Sequence, residues 1–158
     1  MNRDKQLPWQ QETVIRHSQR LIQSFHNWTG RCLLDASGSP EEIAKGLFEA
    51  PFVLVSHGVQ SDPIFNYGNR KALQLWELSW EEFMQTPSRK AVQEVLQEER
   101  NKLLAETLSK GFSSYSGVRI SSTGKRFFLE NGIVWNVLDK QQQYYGQAAT
   151  FSSARLIS

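Results

Sequence analysis

Between positions 8 and 28 apolar residues recur at three- and four-residue steps. Val14, Ile15, Leu21, Ile22, Phe25 and Trp28 form one stripe, with Ser18 set in it. That period predicts an amphipathic helix. Pro8 suits its first position, where a missing N–H leaves nothing unpaired, and Thr29-Gly30 is its stop. The stripe has two open uses, packing on the chain's own sheet and contact with a second copy. Ser39-Pro40-Glu41-Glu42 has capping-box spacing and opens a second helix, with Ile43, Leu47 and Phe48 as its apolar face and Pro51 as its end. The apolar run 52–55 predicts a central strand and 64–67 a second one, with a turn at Asp62-Pro63 between them. A helical period returns at Ala72, Leu73, Leu75 and Trp76. Ser79-Trp80-Glu81-Glu82 then repeats the capping-box spacing ahead of Phe83 and Met84. The longest later helix is expected over 89–110, with Val92, Val95, Leu96, Leu103, Leu104 and Leu108 as its apolar positions and Gly111 closing it.

From 111 to 151 the period becomes two. Val118 and Ile120 share one face of a strand, Tyr115 and Arg119 the other, and Ser122-Thr123-Gly124 makes the turn. In the next strand Phe127, Leu129, Ile133, Trp135 and Val137 alternate on one face with Asn131 among them. Phe128, Glu130, Val134, Asn136 and Leu138 take the opposite face, so neither side is plainly solvated. Residues 146–151 form a last strand whose small side chains let a group lie close to the sheet. This order predicts an α+β fold. It has an antiparallel sheet of about five strands with helices on one face, plus an N-terminal helical extension. The extension is expected at 1–49 and the domain at 50–158.

Composition narrows the function classes. Charged residues make up 22% of the 158, and the net charge is +2, too small to argue for nucleic acid or an anionic membrane surface. The basic clusters Lys125-Arg126 and Arg89-Lys90 are too short for a phosphate-binding stripe. With Cys32 alone, neither an internal disulfide nor a cysteine zinc site can form. No apolar run approaches the ~20 residues of a membrane span, and no secretory signal precedes the first helix. A cytoplasmic protein is expected, without nucleic acid or membrane as a partner.

Several segments, in order, resemble the MEKHLA domain. They are APFVLVSHG (Ala50 to Gly58), DPIFNYGN (Asp62 to Asn69), ALQLWELSW (Ala72 to Trp80), PSR (Pro87 to Arg89), YSGVRISSTGKRF (Tyr115 to Phe127), VWNVLD (Val134 to Asp139) and GQAATF (Gly146 to Phe151). The residues before Ala50 are similar, through weaker motifs, to the lead-in helices of stand-alone bacterial members. In plant members the domain belongs to class III homeodomain–leucine zipper regulators. Neither a homeodomain nor a zipper lies in these residues, so their DNA binding is not carried over. The resemblance implies a PAS-like fold with the first strand beside the last. It also implies a sensory or regulatory module whose proposed inputs are light, redox or a small ligand.

The ligand-binding candidates are His57, Asn66, Trp76, Tyr115, Arg119, Trp135 and Gln147. Trp76, Tyr115 and Trp135 are the aromatics placed nearest an interior cavity, and core packing explains them equally well. Asn66 and Asn69 also suit capping and turn-making where the second strand breaks into helix. A covalent flavin adduct of the light-oxygen-voltage kind needs a cysteine on the helix after the second strand. Cys32 precedes the first strand, so that adduct is not expected. Gln147 does resemble, by position, the glutamine such domains set against the flavin ring, which leaves non-covalent flavin open. Haem would call on His57, since His17 and His26 read as solvent-side or interface residues of the first helix. Three scattered histidines give no metal site. No catalytic residue is assigned, because Ser56 and His57 point to opposite faces of a strand. Glu130 is expected to pair with Arg119 on the neighbouring strand. Two readings follow: a sensory module that binds a small ligand and acts through a homodimer or a signalling protein, and an enzyme using Glu130 or His57 as acid or base.

Overall fold

The computed structural model describes residues 7–35 and 37–157, so positions 1–6 of the expected extension lie outside the described residues. Pro8 starts a single 3-10 turn (Pro8–Gln10), and helix α1 follows at Glu12–Thr29, closed by Gly30 at φ 71°. Helix α2 (Pro40–Phe48) begins at a reciprocal cap. The Glu42 N–H donates to Ser39 Oγ at 3.2 Å and the Ser39 N–H to Glu42 Oε1 at 3.1 Å. Strands β1 (Val53–His57) and β2 (Phe65–Gly68) pair antiparallel. The buried Asn69 then caps helix α3 (Arg70–Trp76), its Oδ1 accepting from the Ala72 and Leu54 N–H groups at 3.1 Å each. The Ser79–Glu82 box opens helix α4 (Trp80–Phe83).

The helix expected over 89–110 is shorter. Helix α5 spans Gln97–Lys110, and two 3-10 turns, Ser88–Ala91 and Glu94–Leu96, precede it. The Ser88 N–H is tied to the Pro63 carbonyl at 2.9 Å, and the Gln97 amide donates to the carbonyls of Arg89 (2.7 Å) and Val92 (2.8 Å). Side-chain capping thus takes acceptors that a continuous helix would use, and Val92 stays extended.

Strands β3 (Phe112–Ile120), β4 (Arg126–Leu138) and β5 (Tyr144–Ile157) complete an antiparallel sheet of order β2-β1-β5-β4-β3, the first strand beside the last. Its inner face packs on α3, α4 and the segment leading into α5, through Val53, Phe65, Ala72, Trp76, Phe83 and Phe127. Its outer face is covered by the N-terminal helices, through Leu21, Phe25, Leu47, Leu54, Tyr67 and Trp135. The apolar stripe of α1 is therefore buried on the chain's own sheet.

Alternation in β4 does not run straight through. Phe127 and Leu129 belong to the inner core, whereas Trp135 and Val137 belong to the outer one. Asn131, at φ 53°, breaks the period, and the β3–β4 register shifts between Tyr115 and Gly117. A bulge of this kind turns every following side chain to the other face. A second shift, opposite Ser56 and His57, places Phe65 inside and Tyr67 outside.

Where β5 begins, Gly146 adopts φ 114°, and a Cβ there would lie 2.0 Å from the His57 carbonyl oxygen. Gly146→Ala is expected to cost at least about 2 kcal/mol through backbone strain and a clash of main chain with side chain. A denaturation midpoint equal to wild type would show that the β1–β5 contact relaxes freely.

Candidate functional site

A cavity of about 70 Å³ lies between the inner face of the sheet and the α3–α5 layer. Strand β1 ends on His57, which points into it, and β5 brings in Gln147 directly opposite in register. The turn before α5 adds Ser88, and α5 itself adds Arg100. All four are buried, His57 and Arg100 at 8% exposure each.

These side chains form a chain of hydrogen bonds. A guanidinium can only donate, so Arg100 Nη2–H donates to Ser88 Oγ at 2.5 Å. The Ser88 hydroxyl, with one hydrogen and a second lone pair still available, also meets His57 Nδ1 at 3.0 Å. The Gln147 side chain hydrogen-bonds His57 in turn. Its Nε2 donates to the Leu104 carbonyl (3.0 Å) and to Asn136 Oδ1 (3.1 Å). Asn136 Nδ2 donates onward to the carbonyls of Thr107 (3.1 Å) and Leu108 (3.2 Å). The chain therefore starts near the beginning of α5 and returns to its last turn. Burial, followed by the Arg100 charge, pushes the His57 pKa down to about 4, so the ring is neutral at pH 7.

Of the sequence candidates, the cavity brings together His57, Trp76, Arg119 and Gln147. Tyr115 stands beside them. Its OH accepts from Arg119 Nη1 at 3.0 Å, and its ring meets Phe151 edge-on at 6.5 Å. Trp135 and Asn66 lie elsewhere, because the two register shifts carry them to the outer side. Trp135 is fully buried under α1, its Nε1 donating to Ser24 Oγ at 3.0 Å. Asn66 Oδ1 accepts from Ser56 Oγ, which also meets His17 Nε2 at 2.9 Å. His17 is thus no solvent-side residue. It is buried against β1, and burial first, then Arg20, pushes its pKa down to about 4. His26 is exposed.

The expected Glu130–Arg119 pair is absent. Glu130 neighbours the inward-facing Leu129 and so points to the other face, where it pairs with Arg155 at 3.0 Å. Ser88 and Arg100 are site residues that sequence reading passed over. A signal exists for Arg100, which stands three, four and seven residues before Leu103, Leu104 and Thr107, the spacing of one helix face.

Cofactor chemistry can be tested against this geometry. Pockets for drug-sized ligands run to roughly 300–1,000 Å³, so the space beside Gln147 as it stands is small for an isoalloxazine ring. Cys32 is exposed between α1 and α2, outside the cavity lining. His57 Nδ1 is engaged with Ser88, which leaves that nitrogen unavailable to haem iron. Among the described residues no three His, Cys, Asp or Glu side chains cluster as metal ligands would, and no helix is long and apolar enough to cross a membrane.

The model of the MEKHLA domain family matches residues 15–155. Among solved structures, the fold is similar to the PAS domain of a protein from Colwellia psychrerythraea, at 16% identity and a TM-score of 0.60, covering 72% of this chain and 92% of that one. A light-oxygen-voltage domain described with a flavin analogue is similar at 14% identity and a TM-score of 0.56, over 73% of this chain and 84% of that one. A PAS domain from a two-component sensor histidine kinase is similar at 16% identity and a TM-score of 0.54, over 70% and 89%. At these identities the likeness concerns the fold alone, which is PAS-like. No curated protein matches the sequence.

Proposed function

The chain belongs to the MEKHLA domain family and has a PAS-like fold, and from that premise we propose that it is a sensory domain that holds a small ligand in the inner cavity and reports the ligand's presence through α1 to a partner protein or a second copy. One observation carries this reading: the strands that wall the cavity also hold α1 on their reverse side. On β1, His57 faces the cavity while its neighbour Ser56 meets His17 of α1. On β4, the Asn136 side chain belongs to the cavity's hydrogen-bond chain, and the Asn136 carbonyl accepts from Trp28 Nε1 of α1 at 2.8 Å. Close-packed layers pass a displacement on rather than absorbing it, so a ligand that moves β1 or β4 moves the seat of α1. The polar side of α1, opposite its buried stripe, is the surface a partner would meet.

Ala149→Leu tests the coupling, because Ala149 lines the cavity and a larger side chain there takes the place of a ligand. Amide hydrogen exchange is expected to change in α1 over residues 17–28 as well as in β1 and β5. Changes confined to the strands, with α1 at wild-type rates, would remove the proposed route.

The enzyme reading has one observation in its favour, the 3.0 Å contact of Ser88 Oγ with His57 Nδ1, which sets a hydroxyl beside a base. It has less support than the sensory reading. A histidine with its pKa pushed down to about 4 is a weak base at neutral pH, and Glu130 lies on the opposite face.

A further inference from the structure

Arg100 is buried, yet among the described residues no carboxylate pairs with it. Its guanidinium meets only neutral oxygens, Ser88 Oγ and Asn101 Oδ1. Arg119 lines the same cavity, and its printed partners are also neutral, Tyr115 OH and the Val118 carbonyl. The acids nearby are engaged elsewhere: Asp62 with Arg89 at 3.1 Å, and Glu99 as acceptor from Tyr115 OH at 3.3 Å. Two like charges therefore face one space without a directly paired counter-charge among the described residues, Asp62 acting on Arg100 only from a distance, and folded proteins rarely leave a buried charge so.

A third group points the same way. Trp76 lines the cavity, and its indole Nε1 is buried with no hydrogen-bond partner, although a buried donor normally finds one. Arg100, Arg119 and the Trp76 N–H are all donor-only groups, and their complement is an ionised acceptor. Of the remaining walls, Val55, Phe65, Leu129 and Phe151 are apolar and offer nothing to the far side of a phosphate or sulfate, while Ser88 and Gln147 are already hydrogen-bonded within the protein. The space of about 70 Å³ lies well below the roughly 300–1,000 Å³ of pockets for drug-sized ligands, which favours a small occupant.

We infer that the inner cavity is a site for a short-chain carboxylate, its charged end against Arg100 and Arg119 and its chain among Val55, Phe65, Leu129 and Phe151. This rests on the reading of the cavity as a ligand site. Guanidinium and carboxylate supply charge-assisted hydrogen bonds to each other, which answers the missing counter-charge and fixes the orientation of so small a molecule.

The experiment is calorimetric titration of the full chain with sodium propionate, alongside propionamide and sodium chloride at matched ionic strength. Propionate is expected to bind at least about tenfold more tightly than propionamide, and chloride to produce no comparable effect. Arg100→Gln is expected to abolish that preference. Arg119→Gln, at a half-exposed position where folding is less at risk, is expected to weaken propionate about tenfold and leave propionamide unchanged. Equal binding of propionate and propionamide overturns the inference while leaving the cavity as a ligand site. An equal response to chloride overturns it too, as a charge effect without recognition of the carboxylate. No binding of propionate at all overturns it as well, and the exchange of α1 in Ala149→Leu then decides separately whether the sensory reading stands.

Discussion

Trp135→Ala is expected to lower the stability of the domain by about 4 kcal/mol, within the range measured when a large buried aromatic is cut back to a methyl group. Trp135 has no solvent exposure and stands at the centre of the outer core. Its ring meets Phe25 edge-on at 4.9 Å, and its Nε1 donates to Ser24 Oγ. The substitution opens a void between β4 and α1, removes an aromatic contact and takes away a hydrogen bond. Trp135→Phe keeps most of the ring contact and loses the donor, so about 1–2 kcal/mol is expected. Chemical denaturation of both variants measures the difference. A loss below about 1 kcal/mol for the alanine variant would mean that α1 settles into the void, which would count against α1 as a firmly seated reporter.

Stability is also expected to fall as the pH drops from about 6.5 to about 4, ahead of any loss from carboxylates. His17 and His57 start from an ordinary value of 6.5 and are each pushed down to about 4 in the folded chain, mainly by burial. Above 6.5 both states are neutral at these positions and stability is complete. Between the two values the unfolded chain binds protons that the folded chain refuses, so unfolding gains with every step toward acid. At the lower end each histidine accounts for up to about 3 kcal/mol, which is large against the roughly 5–15 kcal/mol of a typical domain. Glu49 and Glu77, whose pKa values are held below 4.5 by hydrogen bonds to Arg70 and Thr123 respectively, begin to lose their contribution only as the pH falls through about 4.5, at the acid end of that window and below it. Denaturation midpoints from about pH 8 to about pH 4 test this. His57→Gln is expected to flatten part of the slope, leaving the His17 share. A wild-type profile that stays level between pH 7 and pH 5 would contradict the burial of both rings.

Signals that act within a few residues were legible in the sequence. The boxes at Ser39–Glu42 and Ser79–Glu82 start α2 and α4, and Gly30 and Gly111 close α1 and α5. The opposite orientations of Ser56 and His57 followed from strand geometry alone. The ordered segments from Ala50 to Phe151 also carried the family and the PAS-like fold that the comparisons bear out. The first turn of the helix expected at 89 was not legible, because the groups that interrupt it, the Pro63 carbonyl and the Gln97 amide, act on it from other segments.

The site divides along the same line. His57 and Arg119 could be named from strand position and residue type, Trp76 as a large aromatic on a predicted helix, and Gln147 from its resemblance by position to the flavin-facing glutamine. Trp135 and Asn66 were grouped with them because a sequence does not show where the two-residue period of a strand slips. The slip at Asn131 exists only through the pairing of β4 with its neighbours. Ser88 was quoted only within the segment Pro87 to Arg89 and Arg100 only as part of a helix, neither as a site residue, and the importance of Arg100 rests on what does not stand beside it. Local backbone preference and hydrophobic period were enough to determine most of the elements and their order, and the resemblance of the ordered segments carried the family. Which face each residue occupies, and which charges lack a partner, depended on contacts between segments far apart in the chain, and only the tertiary structure decided those.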